Sequence, residues 1–331
     1  MTTRAADLVL DTLTMEQEDR VLVVRVCAPP YNYMTAQMQN DLDTLTSAVD
    51  ADTTVGAVIL TGGVPHRYIT HFDIADILAG ATRNGYHLSA DTIRGLQTGL
   101  GHLTAVPGVR TAIEHTPIGG LLHITRFTNV AQRIMRSPAV YIAAIAGPCG
   151  GGGLELSVCF DVRLAADDDT TGFMLPELLI GLTTTVGGQR LAQLIGPARA
   201  LEFMLQGRRY TPQEAAQMGL VNRVMPADTL LNEAKDLAAV YARRNRDTVA
   251  AQKRIFHEHL SLTPAESLRR EAATSASAMT ADPAARALQK WVDMQTEDVG
   301  DSVFLTRPEP WIRGEAVDLN IHHSVGTQPR D

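Results

Sequence analysis

The chain alternates short unbroken apolar runs with longer stretches in which apolar residues recur every three or four positions. Ala139 to Ala146 (A-V-Y-I-A-A-I-A) is apolar throughout and predicts a strand buried on both faces. Arg20 to Cys27 and Val55 to Leu60 predict two more strands, the second closed by Thr61-Gly62-Gly63. Thr35 to Val49 places Met38, Leu42, Leu45 and Val49 on one helical face. Tyr68-Ile69-Thr70 reads as a short strand, and Asp73 as the cap of a helix through Leu78. After the central run, Gly147-Pro148 ends the strand, four glycines follow from Gly150 to Gly153, and Leu154 to Phe160 opens a buried helix.

Residues 79 to 137 carry many Gly and Pro breaks, with helical pieces expected near 89–100 and 121–135. The part between reads as a long loop, the kind that serves as a lid or binding element. Asp161 to Ala166 and Phe173 to Leu175 are strands. The acidic Asp167-Asp168-Asp169 turn between them lacks the ligand series of a calcium loop and reads as solvated. Gly181 to Gly188 is a second glycine-bearing loop, before a helix from Gln189 to Ile195. Beyond Pro197 the pattern is mostly helical, with a brief strand at Leu220 to Met225 and helices at about 227–243, 246–258, 263–279 and 283–295. Arg243, Arg244 and Arg246 read as a solvated helix end, and the residues from Val299 as a loosely ordered tail. No internal repeat is visible. Strands and helices in alternation, then helices alone, indicate an α/β protein with an appended helical part.

Composition narrows the function classes. The chain has 331 residues, 45% of them hydrophobic, and a formal charge of −8, which argues against nucleic acid or an anionic membrane as a partner. Cys27, Cys149 and Cys159 have no metal or redox spacing and fit a reducing compartment. No apolar run approaches a membrane span and the first residues do not form a signal peptide, so the expected location is the cytoplasm.

The chemistry-bearing residues centre on the glycine run. Glycine costs conformational entropy, so four together need a reason. One reason is unpaired amides that hold a developing oxyanion, with Glu155 beside them; the other is close packing of helix on strand, with Glu155 an ordinary first-turn acid. Glu177 is a second carboxylate following a strand end near a glycine loop. Two acids facing one pocket can divide proton work. There is no G-x-S-x-G and no H-E-x-x-H, and His257 and His259 do not share a helix face, so neither a serine hydrolase nor a metal site is expected.

Four blocks carry a resemblance. They are P-A-V-Y-I-A-A-I-A-G-P-C-G-G-G-G-L-E-L, C-F-D-V-R-L-A, P-E-L-L-I-G-L-T-T-T-V-G-G-Q-R-L, and A-R-A-L-E-F-M-L-Q-G-R-R-Y-T-P-Q-E-A-A-Q-M-G-L-V-N-R-V. In this order and spacing the chain resembles the crotonase superfamily, the enoyl-CoA hydratase/isomerase family, over about Arg20 to Asp73 and Pro138 to Met294. The resemblance implies an α/β fold of the crotonase-type ββα spiral, with a C-terminal helical trimerisation region and a homotrimer or dimer of trimers. The expected division is a spiral core over 1–200 with an insertion at about 76–135, an oligomerisation region over 201–298, and an extended tail over 299–331.

The implied substrate is an acyl-CoA thioester, with no cofactor beyond the CoA of the substrate itself. Backbone amides of Phe72 and Gly152 would form the oxyanion hole. Glu155 would activate water and Glu177 would protonate C2 of a 2-enoyl-CoA. Pro30, Tyr31, Ile69, Thr70, His71 and Gly151 would line the substrate path. Both glutamates together imply a hydratase. Isomerases of the family manage with the second acid, and a carbon–carbon bond hydrolase or a non-catalytic acyl-CoA binder are the other readings. Three departures stand out: His71 replaces the usual glycine before the donor residue, Thr183-Thr184-Thr185 replaces a Pro/Gly sequence, and the insertion lengthens a segment that shapes the acyl pocket.

Overall fold

A computed structural model describes residues 4–78, 89–103, 119–297 and 302–320. Its centre is a six-stranded sheet in the order β1 (Leu13–Glu18), β2 (Val21–Val26), β3 (Ala57–Gly62), β4 (Val140–Ile145), β6 (Val162–Ala166), β8 (Arg223–Met225). β1 and β2 pair antiparallel through a tight turn at Asp19, and every other pair is parallel. A second, two-stranded parallel sheet joins β5 (Pro148–Gly150) to β7 (Gly172–Met174).

The apolar run at 139–146 is buried on both faces, as its composition requires. Tyr141, Ala143 and Ile145 join one core with α1 (Ala36–Ala51) and α3 (Gly119–Arg136). Ile142 and Ala144 join the other, covered by Leu230, Ala234 and Ala238 of α8 (Leu230–Tyr241). α1 starts where Thr35 accepts a hydrogen bond from the Met38 amide, and buries Met38, Leu42, Leu45 and Val49. The remaining helices are α2 (Ala90–Leu103), α4 (Gly152–Ser157), α5 (Gly187–Ile195), α6 (Pro197–Gln206), α7 (Pro212–Met218), α9 (Arg246–His257), α10 (Pro264–Met279), α11 (Asp282–Glu297), α12 (Val303–Thr306) and α13 (Glu309–Ile312).

Two units of the chain follow the same course. β4, β5 and α4 form one; β6, β7 and the 3-10 turn Glu177–Ile180 form the next. Each gives its first strand to the large sheet and its second to the small one, so the chain advances as a spiral of ββα turns. The acid of each turn, Glu155 or Glu177, falls just after its second strand, which brings the two to one edge of the small sheet.

Three expectations are corrected. Tyr68-Ile69-Thr70 forms no strand. Tyr68 and Ile69 are wholly buried as core side chains, and the backbone pairs through single bonds rather than a ladder, the Thr70 amide donating to the Asn32 carbonyl and the Thr70 carbonyl accepting from the Gly150 amide. The basic run is no solvated helix end. Arg246 is buried and donates to the carbonyls of Val49, Asp50 and Val55, while Arg244 donates to those of Trp311 and Ile312. The tail over 302–320 is consequently folded, as α12 and α13, with Trp311 against Trp291 and Leu319 bonded to Asn245. The helix through Leu78 forms, with the Asp73 carboxylate accepting from the Ala75 amide at its start, whereas the expected loop between 104 and 118 and the tail beyond 320 lie outside the described residues.

The strand that feeds the glycine run is anchored by an ion pair between a buried lysine and a partly buried aspartate. Lys253 of α9 meets Asp161 at 2.6 Å and donates to the Ala139 carbonyl at 2.7 Å, while Asp161 also accepts from the Tyr141 amide. Lys253→Ala strands the Asp161 charge and the Ala139 carbonyl together, so urea unfolding should show a loss of about 3–5 kcal/mol.

Candidate active site

The glycine run is packed against the segment 69–72 at van der Waals distance along its length. A β-carbon on Gly150 would stand 2.8 Å from the Thr70 carbonyl oxygen, and one on Gly153 would stand 2.1 Å from that of Ile69. Gly151 takes φ +44°, and a β-carbon there would lie 3.1 Å from Glu177 Oε1 and 3.3 Å from the His71 β-carbon. Close packing and ligand approach are thus not alternatives here: the same glycines bring 69–72, Glu177 and the start of α4 to one place.

Phe72 and Gly152 both present a free amide at this junction. A parallel bridge between Met34 and Phe72 gives Met34 its bonds to His71 O (2.8 Å) and from the Asp73 amide (3.2 Å), which turns the Phe72 N–H to the other side. Gly152 is the first residue of α4, where an amide has no intrahelical partner. Neither amide has an acceptor among the described residues. Both peptide groups are polarised from behind: the His71 carbonyl accepts from Met34, and the Gly151 carbonyl accepts from the Glu155 amide at 2.8 Å. Each such bond strengthens the donor at the other end of its peptide.

Glu155 is buried, and one carboxylate oxygen accepts three backbone bonds, from Thr185 (2.7 Å), Val186 (2.7 Å) and Gly187 (2.9 Å). These amides open α5. Burial pushes the Glu155 carboxyl above its ordinary range, and the three amides pull it back towards the ionised form. The loop that supplies them is the Thr183-Thr184-Thr185 departure, and the Thr184 hydroxyl accepts from the Gly188 amide at 2.9 Å to complete the helix start. Sequence reasoning placed a glycine loop before this helix but missed its role. The only signal was an acid in one loop and an uncapped helix start in the other.

Glu177 lies in the first turn after β7. Its Oε2 is buried with no hydrogen-bond partner among the described residues. Burial first, and then the Glu155 charge, push its carboxyl up to about 7. Burial raises both carboxyls, and the two acids differ in their partners: Glu155 is pinned by three amides that favour its anion, whereas Glu177 keeps a buried oxygen without a partner among the described residues.

The remaining expected residues surround this centre unevenly. Thr70 donates its hydroxyl to the Tyr31 carbonyl, joining the loop at Pro30 and Tyr31 to the segment 69–72. His71 bonds through Nδ1 to the Phe72 carbonyl (2.6 Å) and stacks on Tyr33, which stacks on the half-exposed Tyr31. Ile69 is wholly buried, so its side chain belongs to the core. Among the described residues no group of three His, Cys, Asp or Glu could hold a metal ion, and no helix is long and apolar enough to cross a membrane.

Known proteins carry the same arrangement of chain. The profile described as enoyl-CoA hydratase/isomerase matches residues 122–299, which takes in nearly all of α3. A protein of Mycobacterium leprae named "Probable enoyl-CoA hydratase" is 30% identical over 263 residues, covering 79% of this chain and 87% of that one. A "Probable enoyl-CoA hydratase" of Rhizobium meliloti matches with the same identity and coverage. A crystal structure titled as an enoyl-CoA hydratase from Polaromonas sp. JS666 superposes with a TM-score of 0.70 at 19% identity, over 85% of this chain and 97% of that one, and so shares the fold. This chain belongs to the enoyl-CoA hydratase/isomerase family of the crotonase superfamily.

Proposed function

We propose that the protein is an enoyl-CoA hydratase that adds water across the 2,3 double bond of a 2-enoyl-CoA. The observation that carries this reading is the pair of buried acids beside two free amides, Glu155 held on three backbone N–H groups and Glu177 with an Oε2 that has no partner among the described residues. The thioester oxygen sits between the Phe72 and Gly152 amides. Glu155, ionised, takes a proton from a water as its oxygen attacks C3. Negative charge passes through C2 to the thioester oxygen, where the two amides hold it. Glu177 then gives its proton to C2, and the 3-hydroxyacyl-CoA leaves. The reaction needs no cofactor beyond the CoA of the substrate.

The loop at Pro30–Tyr31 and the Thr70–His71 edge of the cleft, with Gly151, form the path for the CoA arm in this reading. α10 buries none of its residues, and Leu268, Met279, Leu288 and Val292 are exposed on α10 and α11. That surface supports assembly with further copies of the chain, as a trimer or a pair of trimers.

Loss of the conjugated thioester absorbance, followed with crotonyl-CoA and with a longer and an aromatic 2-enoyl-CoA, tests the proposal. Absorbance loss with none of the three, despite measurable binding of saturated acyl-CoA, would turn the reading to the isomerase, hydrolase or binder. The Glu155 clamp makes a further demand. A β-carbon on Gly187 would stand 2.6 Å from Glu155 Cγ. Gly187→Ala should push the carboxylate off its amides and lower kcat by about 10²-fold with an unchanged circular dichroism spectrum.

A further inference from the structure

Phe72 brings a side chain to this site as well as an amide. Its ring lies directly on Gly152: a β-carbon there would be 2.6 Å from Cε2 and 2.7 Å from Cζ. On its other side the ring meets Phe127 of α3 edge to face, with centroids 5.1 Å apart and planes at 73°. Phe127 is itself wholly buried in the core shared by α1, β4 and α4. The backbone of Phe72 is held separately, by the Met34 bridge and by the His71 bond to its carbonyl. So one residue donates one oxyanion amide, and its side chain presses on the residue that donates the other.

We propose that the Phe72 ring is the spacer that sets the separation of the two oxyanion amides, with Phe127 as its backstop. The inference rests on the oxyanion-hole reading above. Two donors must reach one oxygen, each at about 2.7–3.1 Å, so their separation matters to a few tenths of an ångström. A glycine has no side chain with which to resist motion of its backbone, and at Gly152 the ring supplies that resistance from outside. A smaller side chain at 72 leaves a void between Gly152 and Phe127 that backbone on either side can close only by moving an amide. Phe72 and Phe127 act through the amides and are positioning residues.

A push–pull chromophore, 4-aminocinnamoyl-CoA, tests this in the full-length protein. Its conjugation disfavours water addition, and its absorbance moves to the red when the thioester carbonyl is polarised. Wild type should bind it with a red shift. In Phe72→Ala about half the shift or more should be lost, and kcat on crotonyl-CoA should fall about tenfold with KM changed less than about threefold. Phe72→Leu should keep most of both. Phe127→Ala should lose part of the shift in the wild-type background and nothing further in the Phe72→Ala background, since both act on one contact. A full shift and full kcat in Phe72→Ala would overturn the spacer. Should Phe72→Ala not fold, an unchanged shift in Phe127→Ala overturns it equally. Wild type that binds the probe with no red shift removes the oxyanion hole itself, which is a different failure.

Discussion

Glu155→Gln should lower hydration of crotonyl-CoA by about 10³-fold while leaving exchange of the C2 protons of butyryl-CoA with solvent deuterium within about threefold of wild type. The substitution keeps the shape. The amide oxygen of Gln can accept the same three bonds from Thr185, Val186 and Gly187, so the loop and the start of α5 stay in place. What is lost is a base for water. Exchange at C2 needs only a group that removes and returns that proton and an oxyanion hole for the enolate. In the proposed mechanism those are Glu177, Phe72 and Gly152, none of which the substitution touches. Stopped hydration with surviving exchange, by absorbance and by mass spectrometry, would separate the two acids. Equal loss of both activities would place Glu155 at C2 as well, and loss of neither would sink the mechanism.

The two carboxylates of this site are visible in the sequence as side chains, whereas the amides that clamp Glu155 leave no mark there. Glu155 and Glu177 could be picked out as acids after strand ends beside glycine loops, but that pattern alone fits an ordinary first-turn acid equally well, and their roles came from the family blocks. The apolar run at 139–146 was readable as doubly buried because composition alone reports burial on both faces. By contrast, the clamp on Glu155 comes from three amides, and any residue but proline supplies an amide. The ββα repeat left no internal sequence repeat, since each unit needs only a long strand, a short strand and a turn of helix. Tyr68-Ile69-Thr70 is apolar and β-prone, but the glycine run packs on its carbonyls and fills the space a second ladder would need. Arg246 lies in what looked like a charged helix end, and its partners, the last carbonyls of α1 and Val55, are nearly 200 positions away in the chain. The family blocks supplied the spiral and the oxyanion donors, and fold membership alone leaves the reaction to be tested.

Glu177→Gln should abolish both hydration and C2 exchange, each by about 10³-fold, because Gln neither gives nor takes a proton. The pH dependence of the wild type follows from the same residue. With its carboxyl raised to about 7, Glu177 holds its proton below that pH, so hydration kcat/KM should fall about tenfold per pH unit above it, and should fall again on the acid side as Glu155, the base, takes up a proton. Burial is the larger cause that raises this carboxyl and the Glu155 charge the smaller one, so in Glu155→Gln the Glu177 limb should move somewhat to lower pH. Stability carries the opposite lesson. A carboxyl whose folded pKa is raised contributes its full share below its ordinary value of 4.5, and that share is lost as pH rises through about 7. Above that, the wild type must bury an anion beside Glu155 or bind a proton from a dilute supply, whereas Gln does neither. Glu177→Gln should therefore melt at the same temperature as wild type at pH 4 and at a higher temperature at pH 8. A variant that is inactive yet more stable only on the alkaline side would show that the fold holds this acid at a cost, in the protonation state the reaction uses. Equal melting temperatures at both pH values would mean that the carboxyl is solvated, and the assignment of Glu177 as the proton donor would lose its physical basis.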